Sequence, residues 1–412
     1  MREGIDRENG AFYTCFTNAG DRLVSRNKYT WSQGRFLWML GRFAWAFADR
    51  MGPKLTAEVM AAARAGARFL TEHALLPNGN VAWVLDERGS PILTDRKGNR
   101  VEVKSGDRLD LGIAADQFIV YGMAEYARAA DDVGAYRWAL RLFDSVVERG
   151  RTGEARSFPH DLPKGFKAHG NPMILVETAQ ELADVAIFFR DPAAFRLAEI
   201  ARTSMRETLS VFVQPSEHTL LEYVHTDGMP ALDEMLGSTC NPGHSLEDAW
   251  FMMHFAARIG DRGAILSAAD VVRWMTERYW DGQFGGLPQF QHMKGGEPRG
   301  SVAPENAADH MVVQLRESWS NKLWWVHSEA LYALILSFEH TRDPWFLDTY
   351  WKYHEYVFRT FPQPDPAIGE WIQIRDRAGR PEDKVVALPV KDPYHITRAF
   401  MHLLKSLQRL VA

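Results

Sequence analysis

The 412 residues predict an all-α fold: an (α/α)6 barrel of helical hairpins, with long loops and short β-hairpins gathered at one end. Three observations lead there. Apolar residues recur at spacings of three and four through eleven segments, the period of helices with one buried stripe. Most of these segments come in pairs joined by short connections rich in Gly, Asp or Pro, the stop and start signals of consecutive helices. Long, turn-rich connections alternate with the short ones, as a ring of hairpins with one bare and one elaborated end requires.

In chain order the helices fall at 31–49 and 55–74, 111–130 and 134–150, 172–188 and 191–212, 245–260 and 263–280, 324–340 and 344–360, and 394–410. The tight joints are Asp131-Asp132-Val133-Gly134, Arg190-Asp191-Pro192, Ile259-Gly260-Asp261 and Thr341-Arg342-Asp343-Pro344. Residues 78–108 read as β-hairpins turning at Asn78-Gly79-Asn80 and Lys97-Gly98-Asn99. The other long connections are 214–243, 281–322 and 362–393, and function is expected on their side. Eleven helices are one short of six hairpins: either the chain start is placed late, or the ring lacks its first helix, which would leave apolar surface that a second subunit could cover. No low-complexity linker divides the chain, and residues 1–412 read as one catalytic domain.

Composition narrows the function by exclusion. A hydrophobic share of 46% with 25% charged residues permits a large core. The net charge of −5 gives no pull toward nucleic acid or anionic lipid. Two cysteines, Cys15 and Cys240, cannot build a disulfide framework or a cysteine-rich metal site. The start, Met1-Arg2-Glu3-Gly4-Ile5-Asp6, lacks the apolar core of a signal peptide, and no apolar run could span a bilayer. A cytoplasmic protein is expected. Phosphate loops of the G-x-x-x-x-G-K-[ST] type and G-x-S-x-G elbows are both missing.

The segment from Asn241 to Trp250 carries the most chemistry. Pro242 suits a helix start, and His244 and Glu247 lie three apart on the helix that follows. An acid/base group beside a carboxylate at a helix end suits proton transfer on a small polar substrate. The same spacing serves some metal sites, but no second such pair is found, so no metal is expected. His395, after Pro393-Tyr394, begins another helix on the long-loop end. Arg35 sits in an apolar, aromatic helix (Trp31, Phe36, Leu37, Trp38, Met39) and needs a partner there, either a core glutamate or a substrate anion.

Further motifs are Gly10-Ala11-Phe12-Tyr13, Lys28-Tyr29-Thr30-Trp31-Ser32-Gln33-Gly34-Arg35, Asn171-Pro172-Met173, Leu221-Glu222-Tyr223, Lys322 to Leu331, Gly369-Glu370-Trp371 and Pro393 to Arg398. Together with Asn241 to Trp250 they resemble the N-acylglucosamine 2-epimerase family, which also holds mannose and sulfoquinovose isomerases and cellobiose 2-epimerases. The resemblance implies inversion at C2 of a ring-opened sugar through an enediolate. His244 and His395 would be the acid/base groups on opposite faces, with Arg35 stabilising the enediolate. Trp31 would line the same pocket, and Asn171 and Glu222 would touch substrate. Glu247 either orients His244, binds a sugar hydroxyl, or merely favours the helix dipole. His327 is a binding residue or a packed one, and Trp371 a stacking wall or a core residue.

Two departures bear on the substrate. Ile174 stands where the isomerases and cellobiose epimerases carry a third histidine, which points to the N-acylglucosamine branch. That branch has a Gly-rich run before its last histidine, whereas this chain has Val390-Lys391-Asp392-Pro393-Tyr394. The expectation is a 2-epimerase for N-acylated hexosamines that requires no cofactor, with nucleotide activation left open. The rival is an aldose–ketose isomerase on mannose or a related sugar. A glycoside hydrolase or lyase would need paired carboxylates rather than histidines, and a non-catalytic sugar- or protein-binding member is the remaining alternative.

Overall fold

A computed structural model describes residues 2–383, 390–391 and 393–412. The twelve α-helices among them are α1 (Thr30–Ala46), α2 (Ala48–His73), α3 (Ile113–Ala130), α4 (Val133–Thr152), α5 (Gly170–Phe188), α6 (Ala193–Glu207), α7 (Pro242–Ile259), α8 (Arg262–Arg278), α9 (His310–Glu317), α10 (Trp324–Thr341), α11 (Pro344–Thr360) and α12 (Tyr394–Val411). Eleven match the expected helices, and α9 is an eight-residue addition inside the long connection after α8. No α-helix precedes α1 among the described residues.

Local chemistry sets the helix ends. Asp132, Asn241, Asp261 and Asp343 each cap a helix by accepting a backbone N–H. Gly260 closes α7 in the left-handed conformation (φ 70°), where glycine carries no Cβ penalty. The second helix begins earlier than its apolar period suggested. One turn at Ala48–Met51 is broken at Gly52 (φ 74°) before Pro53 restarts the helix. Residues 191–212 do not run as one helix either: α6 ends at Glu207, and Thr208–Phe212 continue as a wider π-type turn.

The described residues cluster into two compact units interleaved along the chain. The first draws on Met1–Pro159, Thr178–Glu199 and Val385–Tyr394, the second on His160–Glu177, Ile200–Lys384 and His395–Ala412. Within the first unit, Gly34 on α1 and Gly122 on α3 let the two backbones touch, since a Cβ on either would run into the other helix's main chain. Within the second, α7 packs against α8 and α10, and α10 against α11. There α9 buries Met311, Val312 and Leu315 against Tyr223, Met235, Leu236 and Phe290.

The long connections are pinned by two-stranded pairs. Leu93–Thr94 pairs with Arg100–Val101 across the expected Lys97-Gly98 turn. In the second unit Phe166–Ala168 pairs with Tyr223–His225, Thr239–Cys240 with Gln291–His292, and Lys322–Leu323 with Ile374–Arg375. These pairs immediately precede α5, α7 and α10, so they fix the N-terminal ends of those helices. No helix among the described residues is long and apolar enough to cross a membrane, and both cysteines are free and buried.

Candidate active site

His244 stands in the first turn of α7, where Asn241 Oδ1 accepts its backbone N–H at 3.3 Å. Its Nδ1 lies 2.7 Å from Glu222 Oε1. An ionised carboxylate only accepts, so toward Glu222 Nδ1 is the donor, and Asn241 Nδ2 stands 3.0 Å from the same nitrogen. No described residue bonds the ring's Nε2, and the His244 side chain is 25% exposed while Glu222 is buried. Burial pushes the Glu222 carboxyl up, but the bonded His244 and the neighbouring His169 outweigh it, holding its pKa at about 2. The Glu222 backbone is fixed as well: its N–H donates to Thr239 O at 2.8 Å, and its carbonyl accepts from His169 N at 2.9 Å.

His395 repeats the arrangement from α12. Its Nδ1 lies 2.7 Å from Glu329 Oε1 on α10. Arg398, one turn further along α12, donates from Nη2 to the same oxygen at 2.8 Å and also bonds Glu247. Trp250 Nε1 donates to Glu329 Oε2 at 2.7 Å. All of these side chains are buried. Two buried carboxylates side by side would repel, and the guanidinium between them supplies the compensating charge. Trp325, at the start of α10, joins the two histidines. Its ring centroid is 5.4 Å from that of His244 and 5.4 Å from that of His395. Twice that distance bounds the separation of the imidazoles at about 11 Å.

Glu247, Glu329 and His395 each offer a ligand atom within 4.8 Å of one another, close enough for a divalent ion. The Arg398 guanidinium already donates to both carboxylates, so a metal would have to displace a cation held by charge-assisted bonds.

The structure sorts the remaining expected residues. Glu247 does not orient His244; it turns to Arg398 and lies 3.8 Å from His395 Nδ1. Helical spacing made His244 and Glu247 neighbours, but a buried guanidinium attracts the carboxylate more strongly than an imidazole already bonded elsewhere. Glu222 takes the role instead. His327 is fully buried, and both ring nitrogens serve the backbone: Nε2 accepts from Leu287 N at 2.9 Å and Nδ1 donates to Leu323 O at 2.7 Å. Burial lowers its pKa to about 3, so it stays neutral, with no ring nitrogen left for a sugar hydroxyl. Trp371 is buried and packs against Phe358, Phe361 and Phe400, as a core residue does. Asn171 is exposed in the first turn of α5. In the first unit, Arg35 spreads its guanidinium over Phe118 (4.1 Å), Trp31 (4.6 Å) and Tyr394 (4.9 Å). Asp392 lies outside the described residues.

Four participants were not singled out from sequence: Glu329, Arg398, Trp325 and His169. Glu329 and Arg398 carried a signal, being charged residues on apolar helix faces that can be buried only as partners. His169 sits in an unremarkable loop and gave none.

A model of the family described as N-acylglucosamine 2-epimerase (GlcNAc 2-epimerase) matches residues 10–399. An N-acylglucosamine 2-epimerase of Bos taurus is 29% identical over 414 residues, covering 99% of this chain and 87% of the relative. Among solved structures, a cellobiose 2-epimerase from Bacillus thermoamylovorans superposes with a TM-score of 0.74 at 17% identity, covering 98% of this chain and 94% of that one. A D-mannose isomerase gives a TM-score of 0.72 at 17% identity over the same shares. The expected fold class, the (α/α)6 barrel of these sugar enzymes, is therefore the fold of this chain. With the match running from Gly10 to Ala399, the chain belongs to the N-acylglucosamine 2-epimerase family, a family of sugar isomerases.

Proposed function

We propose that this protein is a sugar 2-epimerase acting on N-acylated hexosamines, with His244 and His395 as its two acid/base groups. The observation that supports this best is the duplicated dyad. Each histidine is held through Nδ1 by a buried glutamate, and both rings face Trp325. One imidazole removes the C2 proton of the ring-opened sugar, and the electron pair moves into the C1 carbonyl to form an enolate whose C2 bears the acylamino nitrogen. As the O1 electron pair re-forms the carbonyl, the other imidazole gives a proton to the opposite face of C2, which inverts the centre. This chemistry needs no redox group. Resemblance to the family gives Arg35 the role of balancing charge on the enolate.

The choice of an N-acylated substrate rests on Ile174, which replaces the third histidine of the isomerases and cellobiose epimerases. The test is proton NMR in deuterium oxide with N-acetylmannosamine, N-acetylglucosamine, mannose and fructose. Deuterium entering C2 of the N-acetyl sugars without ketose formation is expected. Conversion of mannose to fructose would instead make the protein an aldose–ketose isomerase. His244→Ala and His395→Ala should each lower turnover by at least about a hundredfold, the usual contribution of a positioned acid or base. Full turnover by either folded variant would remove the two-histidine mechanism.

A further inference from the structure

His169 is completely buried just before α5, and none of the chemistry above uses it. The strand pair Phe166–Ala168 with Tyr223–His225 sets Ala168 opposite Tyr223 and carries His169 to the side of Glu222, where its N–H bonds the Glu222 carbonyl. The imidazole then bridges two carboxylates. Nε2 lies 2.7 Å from Asp248 Oδ2, and Nδ1 lies 3.8 Å from Glu222 Oε2. That second distance is an ion-pair contact rather than a hydrogen bond. The two atoms facing each other across it are both buried and make no hydrogen bond among the described residues. Asp248 is buried too and lies one turn beyond His244 on the same helix. The result is a closed circuit, His244–Glu222–His169–Asp248, that starts and ends on α7.

We propose that His169 is a positioning residue for His244: a buried cation that fixes Glu222 so that its other oxygen holds the Nδ1 proton of His244 and leaves Nε2 to exchange the substrate proton. The proposal rests on His244 being an acid/base group. A neutral His169 would leave two carboxylates buried without a compensating charge, whereas the imidazolium serves both. Burial lowers the proton affinity of His169, but its hydrogen bond to Asp248 and the proximity of Glu222 outweigh it, raising the pKa to about 9. The titratable groups facing His169 are Asp248 on α7 and Glu222 on the 219–225 run, with His244 behind Glu222. Its ring neighbour is Phe212, at 5.6 Å.

The decisive experiment is the pH profile of kcat/KM for wild type, His169→Gln and Asp248→Asn on whichever sugar the wild type epimerises, with His244→Ala as reference. His169→Gln keeps a donor toward Asp248 and removes the cation. Its kcat should fall about ten- to a hundredfold with little change in KM, the usual effect of losing a residue that orients a reacting group. The acid limb of its profile should move to higher pH, because an uncompensated Glu222 holds the His244 proton more tightly. Asp248→Asn weakens the hold on the His169 proton, so its alkaline limb should move down toward the ordinary histidine range; it also serves if His169→Gln does not fold. A folded His169→Gln with wild-type kcat and an unmoved acid limb overturns the proposal, as does an unmoved alkaline limb in Asp248→Asn. Turnover by His244→Ala would instead overturn the functional reading beneath it.

Discussion

Adding one methyl group at Gly243 tests how tightly the two histidines depend on Trp325. A Cβ built there would lie 2.5 Å from Trp325 Cζ3 and 2.8 Å from Val326 Cγ2, where ordinary contact begins at 3.4 Å. The indole must therefore retreat by roughly 1 Å. Helix propensity acts the other way, since Gly→Ala inside a helix gains roughly 1 kcal/mol. Overpacking a filled site costs roughly 1–3 kcal/mol, so Gly243→Ala should be neutral to slightly destabilising. Activity should suffer far more. Displacing a group that positions reacting atoms by about 1 Å can cost about a hundredfold, or about 2.7 kcal/mol of transition-state stabilisation.

The assay is kcat/KM for epimerisation, followed by NMR, alongside the thermal midpoint. Trp325→Phe removes the ring edge that the new methyl would strike. Gly243→Ala should then add little to the loss seen in Trp325→Phe, and this non-additivity identifies the indole as the route of the effect. A Gly243→Ala enzyme within twofold of wild-type kcat/KM would refute the claim that Trp325 sets the geometry of both histidines. So would fully additive losses.

Two further expectations concern stability. His169 and Glu222 belong to one buried network but answer first to different partners, His169 to Asp248 and Glu222 to His244, and to each other second. The raised pKa of His169, about 9, means its contribution is fully present below pH 6.5 and is lost as pH rises through 9. The lowered pKa of Glu222, about 2, means its contribution is present above pH 4.5 and is lost as pH falls through 2. Unfolding free energies of wild type and His169→Gln should thus differ most between pH 4.5 and 6.5, by about 3 kcal/mol, and converge toward pH 10; a difference independent of pH contradicts the pairing. For His327→Leu, the buried Leu287 N–H loses its acceptor, which should cost about 1–3 kcal/mol in urea denaturation while leaving kcat and KM near wild type. A large rise in KM at unchanged stability would restore His327 as a binding residue.

The helices were legible because their information is local. Three-and-four spacing located eleven of them, and Asp261 or Asp343 marked where the next begins. What escaped was set at long range. The eight residues of α9 are too few for a convincing period, and the helix is stabilised by loop residues such as Met235 and Phe290 that lie far away in sequence. The same divide runs through the site. His244 and His395 stood out from their motifs, but their partners lie 22 and 66 residues away, at Glu222 and Glu329. Helical spacing nominated Glu247 for His244, and only the fold shows that Arg398 claims it. Spacing reveals who can meet on one helix; charge pairing across elements decides who does.

The dyads differ less in their glutamates than in what stands behind them. Glu329 is backed by Arg398, whose guanidinium stays charged throughout the pH range of folded proteins. Glu222 is backed by His169, a cation that titrates. In the proposed epimerisation, the imidazole that acts as base in one direction acts as acid in the other, so both glutamates must stay held in both directions. A fixed cation backs one of them and a titratable cation the other, and the second is in place only while His169 holds its proton. Because the ratio of forward to reverse kcat/KM equals the equilibrium constant, both directions share the same alkaline limit. On the proposed mechanism, loss of the proton from one buried imidazole that touches no substrate would therefore limit the exchange in both directions alike.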